Sequence, residues 1–476
     1  MMKKLWFVAM FSMIALQGAQ EDQFDDEGYI IAAQQSQKTS IVVVICGQKM
    51  RYLQDIYRII KKDLEFTDQF SLAYAEQESL FQKEEDFWIY KGQGNFLIAL
   101  NMSAEDENVV QWRLYTLNKD GHGKFVKGEE NAPLLESEQV PFLFSPDDRF
   151  SWWVHTISHD LYRELTGGVS PFLSKIAYCR QLFDSVSANY VCVAHYDGSH
   201  EAIIVPGKNP KGKQIKSKTT YIAPCWTVEK TLPQLLYSEY TALNMRLMMT
   251  DFTTTPIIVT DFNGSNMLPT FSSDGKQALV CLSAQGKTDI YRYVPGKRSK
   301  GGKYVKLSQN NGKNLSPAIL NNGQIVFCSD YELNIPHIYM MDKDGNNVTR
   351  ISESNGKIRS SATSPSYCPN RNKIAYVQEV NGVFQLMLYD FATNKSQQLS
   401  SDNRQKGSPS WSPCGNYILC SLYDGKSKQL GCYKLLTATW QMIKPSPYDL
   451  LPADQDSSSY TYPSWSPFLE VSSAIN

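Results

Sequence analysis

The 476 residues exceed what one hydrophobic core normally serves, so more than one domain is expected. Hydrophobic residues make up 42% and aromatic residues 12%, an ordinary composition for a globular, β-rich chain. A formal net charge of −1 supplies no basic footprint, which excludes nucleic acid as a partner recognised through charge.

Residues 1–19 read as a signal peptide. Lys3 and Lys4 form a positive start, and Leu5 to Leu16 is an apolar run of twelve, too short to span a bilayer. Gly18 and Ala19 place cleavage near Ala19, and no cysteine stands there to take a lipid. The mature chain is therefore expected outside the cytoplasm. Residues 20–38 follow as an acidic segment (Glu21, Asp22, Asp25, Asp26, Glu27) without periodicity, expected to be flexible.

Residues 39–170 read as a small α/β domain. Ser40 to Cys46 is a continuous β-branched run, the mark of a strand buried on both faces. A helix is predicted over Gln48–Phe66, because Leu53, Ile56, Ile60 and Leu64 step by three and four. Strands are predicted at Asn95–Leu100 and Val109–Leu117, with a turn at Asp120-Gly121. A second helix is predicted from Arg149 to Leu165, with Asp147 or Asp148 as its cap and Gly167-Gly168 ending it.

From residue 171 to 470 the helical period is gone and a repeat takes over. A proline followed two residues later by a large apolar residue recurs at Pro224, Pro269, Pro317, Pro365, Pro409 and Pro463, at intervals of 45, 48, 48, 44 and 54 residues. One propeller blade of four antiparallel strands consumes about 40–50 residues, so this period predicts a β-propeller. The sixth phrase has too little chain after it for three more strands. KIAYCRQ from Lys175 and YVCVAHYDG from Tyr190 supply the missing middle strands. The fold class is then an α+β two-domain chain: a small N-terminal α/β domain, then a six-bladed propeller closed by pairing of the C-terminal strand with residues 175–205. Closure removes free sheet edges at the seam.

Pro plus two is Trp226, Phe271, Ile319, Tyr367, Trp411 or Trp465, and these side chains are expected to pack between blades. The pairs just before each proline are Ile222-Ala223, Met267-Leu268, Leu315-Ser316, Thr363-Ser364, Gly407-Ser408 and Thr461-Tyr462. They are expected in the loops joining blades, converging on the channel mouth as a partner-binding surface. KLS, RIS and QLS end the fourth strands at Lys306, Arg350 and Gln398. The ten cysteines include no CxxC pair, and several lie in apolar strands, so buried free thiols are preferred over a metal site. No GxSxG, GxxxxGK[ST], GxGxxG or HExxH occurs. His155 and His159 have metal-ligand spacing but no evident third ligand, and Asp342-Lys343-Asp344-Gly345 reads as a hairpin turn rather than a calcium loop. No catalytic residue, cofactor or metal is called for.

The stretch VHTISHDLYRELTGG from Val154 to Gly168, the KIAY at Lys175, the YDG at Tyr196 and the terminal PSWSPFL from Pro463 to Leu469 together resemble the TolB family of the Gram-negative Tol–Pal system. The resemblance implies a periplasmic, monomeric scaffold rather than an enzyme. It implies a Pal-like peptidoglycan-associated lipoprotein as partner, bound at the channel mouth by Met267, Leu268, Leu315, Ser316, Thr363 and Ser364. The later pairs Gly407, Ser408, Thr461 and Tyr462 complete that ring. It also implies a TolA-like inner-membrane partner for a segment within Glu21–Ile31, membrane association through partners alone, and a role in envelope integrity and constriction at cell division. The alternative from a different class is a hydrolase-linked or peptidase-associated propeller, which would need a nucleophile–base pair.

Overall fold

A computed structural model of the chain describes residues 38–46, 50–77, 90, 93–102, 109–117, 123–133, 146–182, 188–206, 219–229, 233–241, 244–252, 255–284, 286–294, 303–332, 334–352, 360–446 and 458–469. The signal peptide, the acidic segment up to residue 37 and the Asp120-Gly121 turn lie outside the described residues. Two compact units divide between Leu173 and Ser174.

The first unit contains β1 (Thr39–Cys46), α1 (Met50–Phe66), β2 (Phe70–Gln77), β3 (Phe96–Met102), β4 (Val109–Leu117), β5 (Gly123–Pro133) and α2 (Pro146–Thr166). Its sheet runs β2-β1-β3-β4-β5, with β1 parallel to both neighbours. That central, two-sided placement is why SIVVVIC needs no polar alternation: Ile41 to Cys46 are all buried. Leu53, Ile56, Ile60 and Leu64 form the buried stripe of α1, and Trp152, Trp153, Val154, Ile157 and Leu161 are buried along α2. The helix α2 starts at Pro146, three residues before the expected start. Asp147 and Asp148 are therefore first-turn residues, not caps; a proline fits that first position because its missing N–H is unneeded there. Gly167, at φ 69°, ends the helix with its N–H on the Arg163 carbonyl at 2.8 Å. The paired histidines of α2 are spent separately: His155 Nδ1 lies 2.8 Å from the buried Asp63 carboxylate, and His159 Nδ1 lies 2.8 Å from the Ser170 hydroxyl.

In the second unit, six four-stranded antiparallel sheets form the six blades of a propeller. The inner strands of blades 1 to 6 are Thr220–Trp226, Asn266–Phe271, Asn314–Ile319, Ala362–Cys368, Gln405–Trp411 and Ser458–Trp465. The sixth blade joins the two ends of the unit. Ser458–Trp465 pairs with Lys175–Leu182, which continues to Ala188–His195 and Ala202–Val205. Arg180 fastens this seam, donating from Nε to the Ser458 hydroxyl at 3.0 Å and from Nη1 to the Glu201 carboxylate at 2.6 Å.

At two junctions the tryptophan at Pro plus two locks a blade to the one before it. Trp411 Nε1 donates to the Ser366 carbonyl of blade 4 at 3.0 Å. Trp226 repeats the bond with the Ser464 carbonyl of blade 6 at 3.2 Å. Both acceptors sit one residue after the neighbour's proline, so two junctions use one geometry. Trp226, Ile319, Trp411 and Trp465 are buried, while Phe271 and Tyr367 are half-buried.

Two outcomes follow. Trp411→Ala is expected to cost about 3–5 kcal/mol by cavity formation; Trp411→Phe keeps most of the ring and should cost about 1–2 kcal/mol for the lost hydrogen bond. Equal denaturant midpoints for the two variants would refute the locking role. Burial, with a smaller effect of Arg163, lowers His159 to about 4, below its unfolded value near 6.5. The unfolded chain therefore takes up a proton first, so His159 should erode stability as pH falls from about 6.5 to 4. His159→Gln should flatten that part of the melting-temperature profile.

Candidate functional site

Each inner strand carries the same irregularity. The residue before the proline has a left-handed backbone in all six blades: φ is 50° at Ala223, 52° at Leu268, 51° at Ser316, 56° at Ser364, 48° at Ser408 and 52° at Tyr462. At each of these positions the pairing with the second strand slips, as between Met267 and Thr270 or Leu315 and Ala318. A bulge of this kind twists a strand and takes residues out of the ladder, which suits a proline that has no N–H to give.

This corrects the expected placement of the pre-proline pairs. Met267-Leu268, Leu315-Ser316, Thr363-Ser364, Gly407-Ser408 and Thr461-Tyr462 are not in the loops between blades. They sit inside the inner strands, at the bulge, as do Ile222 and Ala223. All but Ala223 are half-buried. Met267, Leu268 and Leu315 also pack against the apolar cluster shared by blades 2 and 3, which includes Leu279, Ile290, Ile319 and Phe327.

Thiols support the bulges from behind. Opposite the pre-proline pairs, the second strands place Ser238, Cys281, Cys328, Val377, Ser421 and Cys179. The Ser316 backbone N–H is bonded to Cys281 and that of Ser364 to Cys328, each reaching back from the next blade. Burial pushes both thiols up to about 12. Cys328 also donates to the Ala362 carbonyl at 3.6 Å.

A polar belt lies beside the bulges, and it follows a spacing that sequence reasoning passed over. Twenty residues after the prolines of blades 2, 3 and 4 stand Asp289, His337 and Gln385. The serines of KLS, RIS and QLS approach them: Ser308 Oγ donates to Asp289 at 2.8 Å, Ser400 Oγ donates to Gln385 at 2.8 Å, and Ser352 Oγ lies 3.4 Å from His337 Nδ1. The same hydroxyls accept the backbone N–H groups of Ile290, Ile338 and Leu386 at 2.9–3.0 Å. The repeated serine is thus a strand cap. Three residues before the next proline, Asn314 reaches Asp289 at 3.3 Å, and Lys406 reaches Gln385 at 2.8 Å.

Lys406 is fully buried by side chain and also bonds Asp402 at 3.0 Å and the Arg404 carbonyl at 2.7 Å. Burial would raise Asp402, but hydrogen bonds from Arg404 and Lys406 outweigh it and bring it down to about 2. At the junction of blades 3 and 4 the corresponding residue is Ala362, and His337 Nε2 has no hydrogen-bond partner among the described residues. Burial holds this imidazole below its ordinary value.

The remaining suspects are turns. Asp342 accepts the backbone N–H groups of Asn346 at 2.8 Å and Asp344 at 2.9 Å, and the Asn347 amide at 2.9 Å, so its carboxylate serves a hairpin. The ten cysteines are free. Burial raises Cys46 to about 11 and Cys225 to about 12. The native chain should therefore react slowly with a thiol reagent at pH 8, and denaturation should release ten reactive thiols. Rapid native labelling at Cys281 or Cys328, mapped by mass spectrometry, would contradict the packing described.

Comparison with known proteins bears on the same region. Residues 162–469 match the family described as the TolB beta propeller domain. A Tol-Pal system protein TolB from Francisella tularensis subsp. holarctica is 25% identical over 269 residues, 56% of this chain and 58% of that protein. Its counterpart from Alcanivorax borkumensis is 33% identical over 93 residues, 19% of this chain and 20% of its own. The chain thus spans 58% of the length of the Francisella relative. The crystal structure of TolB from Acinetobacter baumannii matches with a TM-score of 0.69 at 20% identity, covering 90% of this chain and 97% of that one, a likeness of fold. With the family match running from α2 through the closing strand, the chain belongs to the TolB β-propeller family.

Proposed function

We propose that the chain is a periplasmic, non-enzymatic scaffold of a Tol–Pal system, and that its propeller channel binds a peptidoglycan-associated lipoprotein. The reading rests on the bulge ring. Six strands bring backbone-strained, half-buried residues to one repeated position, and blades 2 and 3 place apolar side chains there at Met267, Leu268 and Leu315. Such a ring is preformed and apolar in part, which lowers the ordering cost of binding. Ser316, Thr363, Ser364, Gly407, Ser408, Thr461 and Tyr462 complete it. The segment 20–38 is proposed to dock a TolA-like inner-membrane partner, which would tie the scaffold to envelope integrity and cell constriction. The family membership supports this reading; against peptidase chemistry, His155 with Asp63 and His337 with Ser352 are all buried, and the Ser352 hydroxyl caps the Ile338 N–H.

Leu268→Asn is the sharpest test. Asparagine tolerates a left-handed backbone better than leucine, which offsets part of the packing lost from the cluster of blades 2 and 3, so the variant should fold with a melting temperature modestly below wild type. It removes the apolar side chain, so affinity for the soluble domain of the lipoprotein should fall by roughly tenfold, about 1.4 kcal/mol. Thr363→Arg should do the same by bulk and charge. Wild-type affinity in both folded variants would move the interface elsewhere. Deleting residues 21–31 should change lipoprotein affinity if the tail reports on the channel, and an unchanged value would remove that coupling.

A further inference from the structure

The joint between blades 3 and 4 is built around a histidine whose surroundings suit only its neutral form. His337 opens the third strand of blade 3, His337–Met341, and has no exposed surface. Its Nδ1 lies 3.4 Å from the Ser352 hydroxyl, whose oxygen already accepts the Ile338 N–H at 3.0 Å. That hydroxyl has its own hydrogen to offer Nδ1, as Ser308 offers one to Asp289 and Ser400 one to Gln385. A neutral ring that accepts at Nδ1 carries its proton on Nε2, and Nε2 has no hydrogen-bond partner among the described residues. A charged ring would also have to donate at Nδ1, reversing the serine bond. At the position that holds Asn314 or Lys406 at other joints, blade 4 offers only the methyl group of Ala362.

The charges around the ring do not compensate for this. Arg350 on the outer strand opposes a proton there, and Glu332, in the connection before the strand, favours one. The Glu332 carboxylate is bonded instead to the Tyr331 and Tyr339 hydroxyls at 3.0 and 3.1 Å. The second strand places the uncharged Ser329 opposite His337, and the uncharged Ala362 is the neighbour from blade 4. Burial is the largest influence, and with Arg350 it holds the imidazole below its ordinary value near 6.5.

A short run of bonds leads from this ring to the bulge of blade 4. The Pro336 carbonyl, next to His337, accepts the Ala362 N–H at 2.7 Å. The Ala362 carbonyl accepts from Cys328 Sγ at 3.6 Å, and the same sulfur is bonded by the Ser364 N–H. Thr363 is held between the two. We propose that His337 is a proton-operated release of the blade 3–4 joint: to take up a proton it must leave its site, and Ala362 and the Thr363-Ser364 bulge loosen with it. The loosened joint takes its proton near pH 6.5 and the closed joint only at lower pH. The joint is therefore fully held above about pH 6.5, and its opening becomes up to about tenfold more frequent for each pH unit below. The consequence for binding rests on the channel reading above: a partner seated on the ring holds the bulge in place, so partner and proton compete.

The test is amide exchange of the full mature chain, without partner, from about pH 7.5 to 5, each rate divided by that of an unstructured peptide at the same pH. Protection at Ile338, Ala362 and Ser364 should fall by about tenfold per unit below about pH 6.5. Leu386, whose N–H meets Ser400 in the same way but beside Gln385, should lack this slope. His337→Gln, which copies the residue of blade 4, should give Ile338 and Ala362 the slope of Leu386, and a cooperative melt at pH 7.5 shows that it has folded. Parallel slopes at Ala362 and Leu386 in the wild type, or a slope that survives His337→Gln, overturn the proposal. If the variant does not fold, the imidazole titration of wild-type His337 by NMR decides: a midpoint well below 6.5 supports the release, and one at or above 6.5 overturns it. Because no partner is present, failure of the channel reading can neither mimic nor mask these outcomes.

Discussion

The seam between Ser458–Trp465 and Lys175–Leu182 is the constraint on which the ring depends. A four-stranded blade has two apolar faces and can bury them only against neighbours, so an open row of six would leave one face bare at each end. Pairing the last strand with strands from the start of the unit makes the sixth blade a composite and gives every blade two neighbours. The bonds at this seam are correspondingly polar and directional. Trp465 Nε1 donates to Ser174 Oγ at 2.8 Å, the Lys175 N–H is accepted by Ser466 Oγ at 2.9 Å, and Arg180 ties Ser458 to Glu201. The bonds from Ser174, Lys175 and Arg180 to the closing segment join residues separated by nearly three hundred positions. Their loop-closure cost grows only slowly with that separation, while each blade face they seal returns buried apolar area.

Much of this was legible because the repeat couples local and global signals. The proline phrase marks the inner strand, the apolar runs mark the second and third, and the count of phrases against remaining chain required a borrowed strand. The bulge was not legible. A left-handed residue is usually announced by glycine or asparagine, and here the six are Ala223, Leu268, Ser316, Ser364, Ser408 and Tyr462. None has the intrinsic preference, and a following proline ordinarily favours extended backbone before it; the ladder on either side of the bulge holds the conformation. Without that knowledge the pre-proline pairs look like the ends of loops. The strand β2 was missed for another reason. FSLAYAEQ begins three residues after α1, and its only buried residues are Phe70 and Leu72, too brief an alternation to stand out. Its backbone is fixed by eight parallel pairings with β1, a tertiary cause with little local trace.

The polar belt shows how a repeat can vary while keeping its geometry. Asp289 with Asn314 and Gln385 with Lys406 solve one problem with different charges: a polar side chain at the start of the third strand is bonded by the inner strand of the next blade. In the second pair the added positive charge is balanced by Asp402, whose own carboxyl is lowered in return. His337 keeps the serine contact of its counterparts, but its neighbour in the next blade is Ala362, whose side chain joins the apolar cluster of blades 3 and 4. That junction therefore lacks the side-chain hydrogen bond of the other two and is held by packing and by the Ala362 N–H donating to the Pro336 carbonyl at 2.7 Å; because only one partner has become apolar, His337 Nε2 is left without a hydrogen-bond partner among the described residues.

The same economy accounts for the cysteines. Disulfides stabilise a chain chiefly when its core is too small to hold it together. Here each blade already has a dense apolar interior, and Cys281, Cys328, Cys368, Cys420 and Cys432 take part in it as small hydrophobes. Burial raises the thiols of Cys281, Cys328 and Cys420, so the thiolate needed for exchange is scarce at neutral pH. The packing that stabilises the ring thus also keeps its thiols from cross-linking. At Cys281 and Cys328 the backbone N–H of the left-handed residue of the next blade bonds to the sulfur and pulls the thiol down, but burial outweighs it.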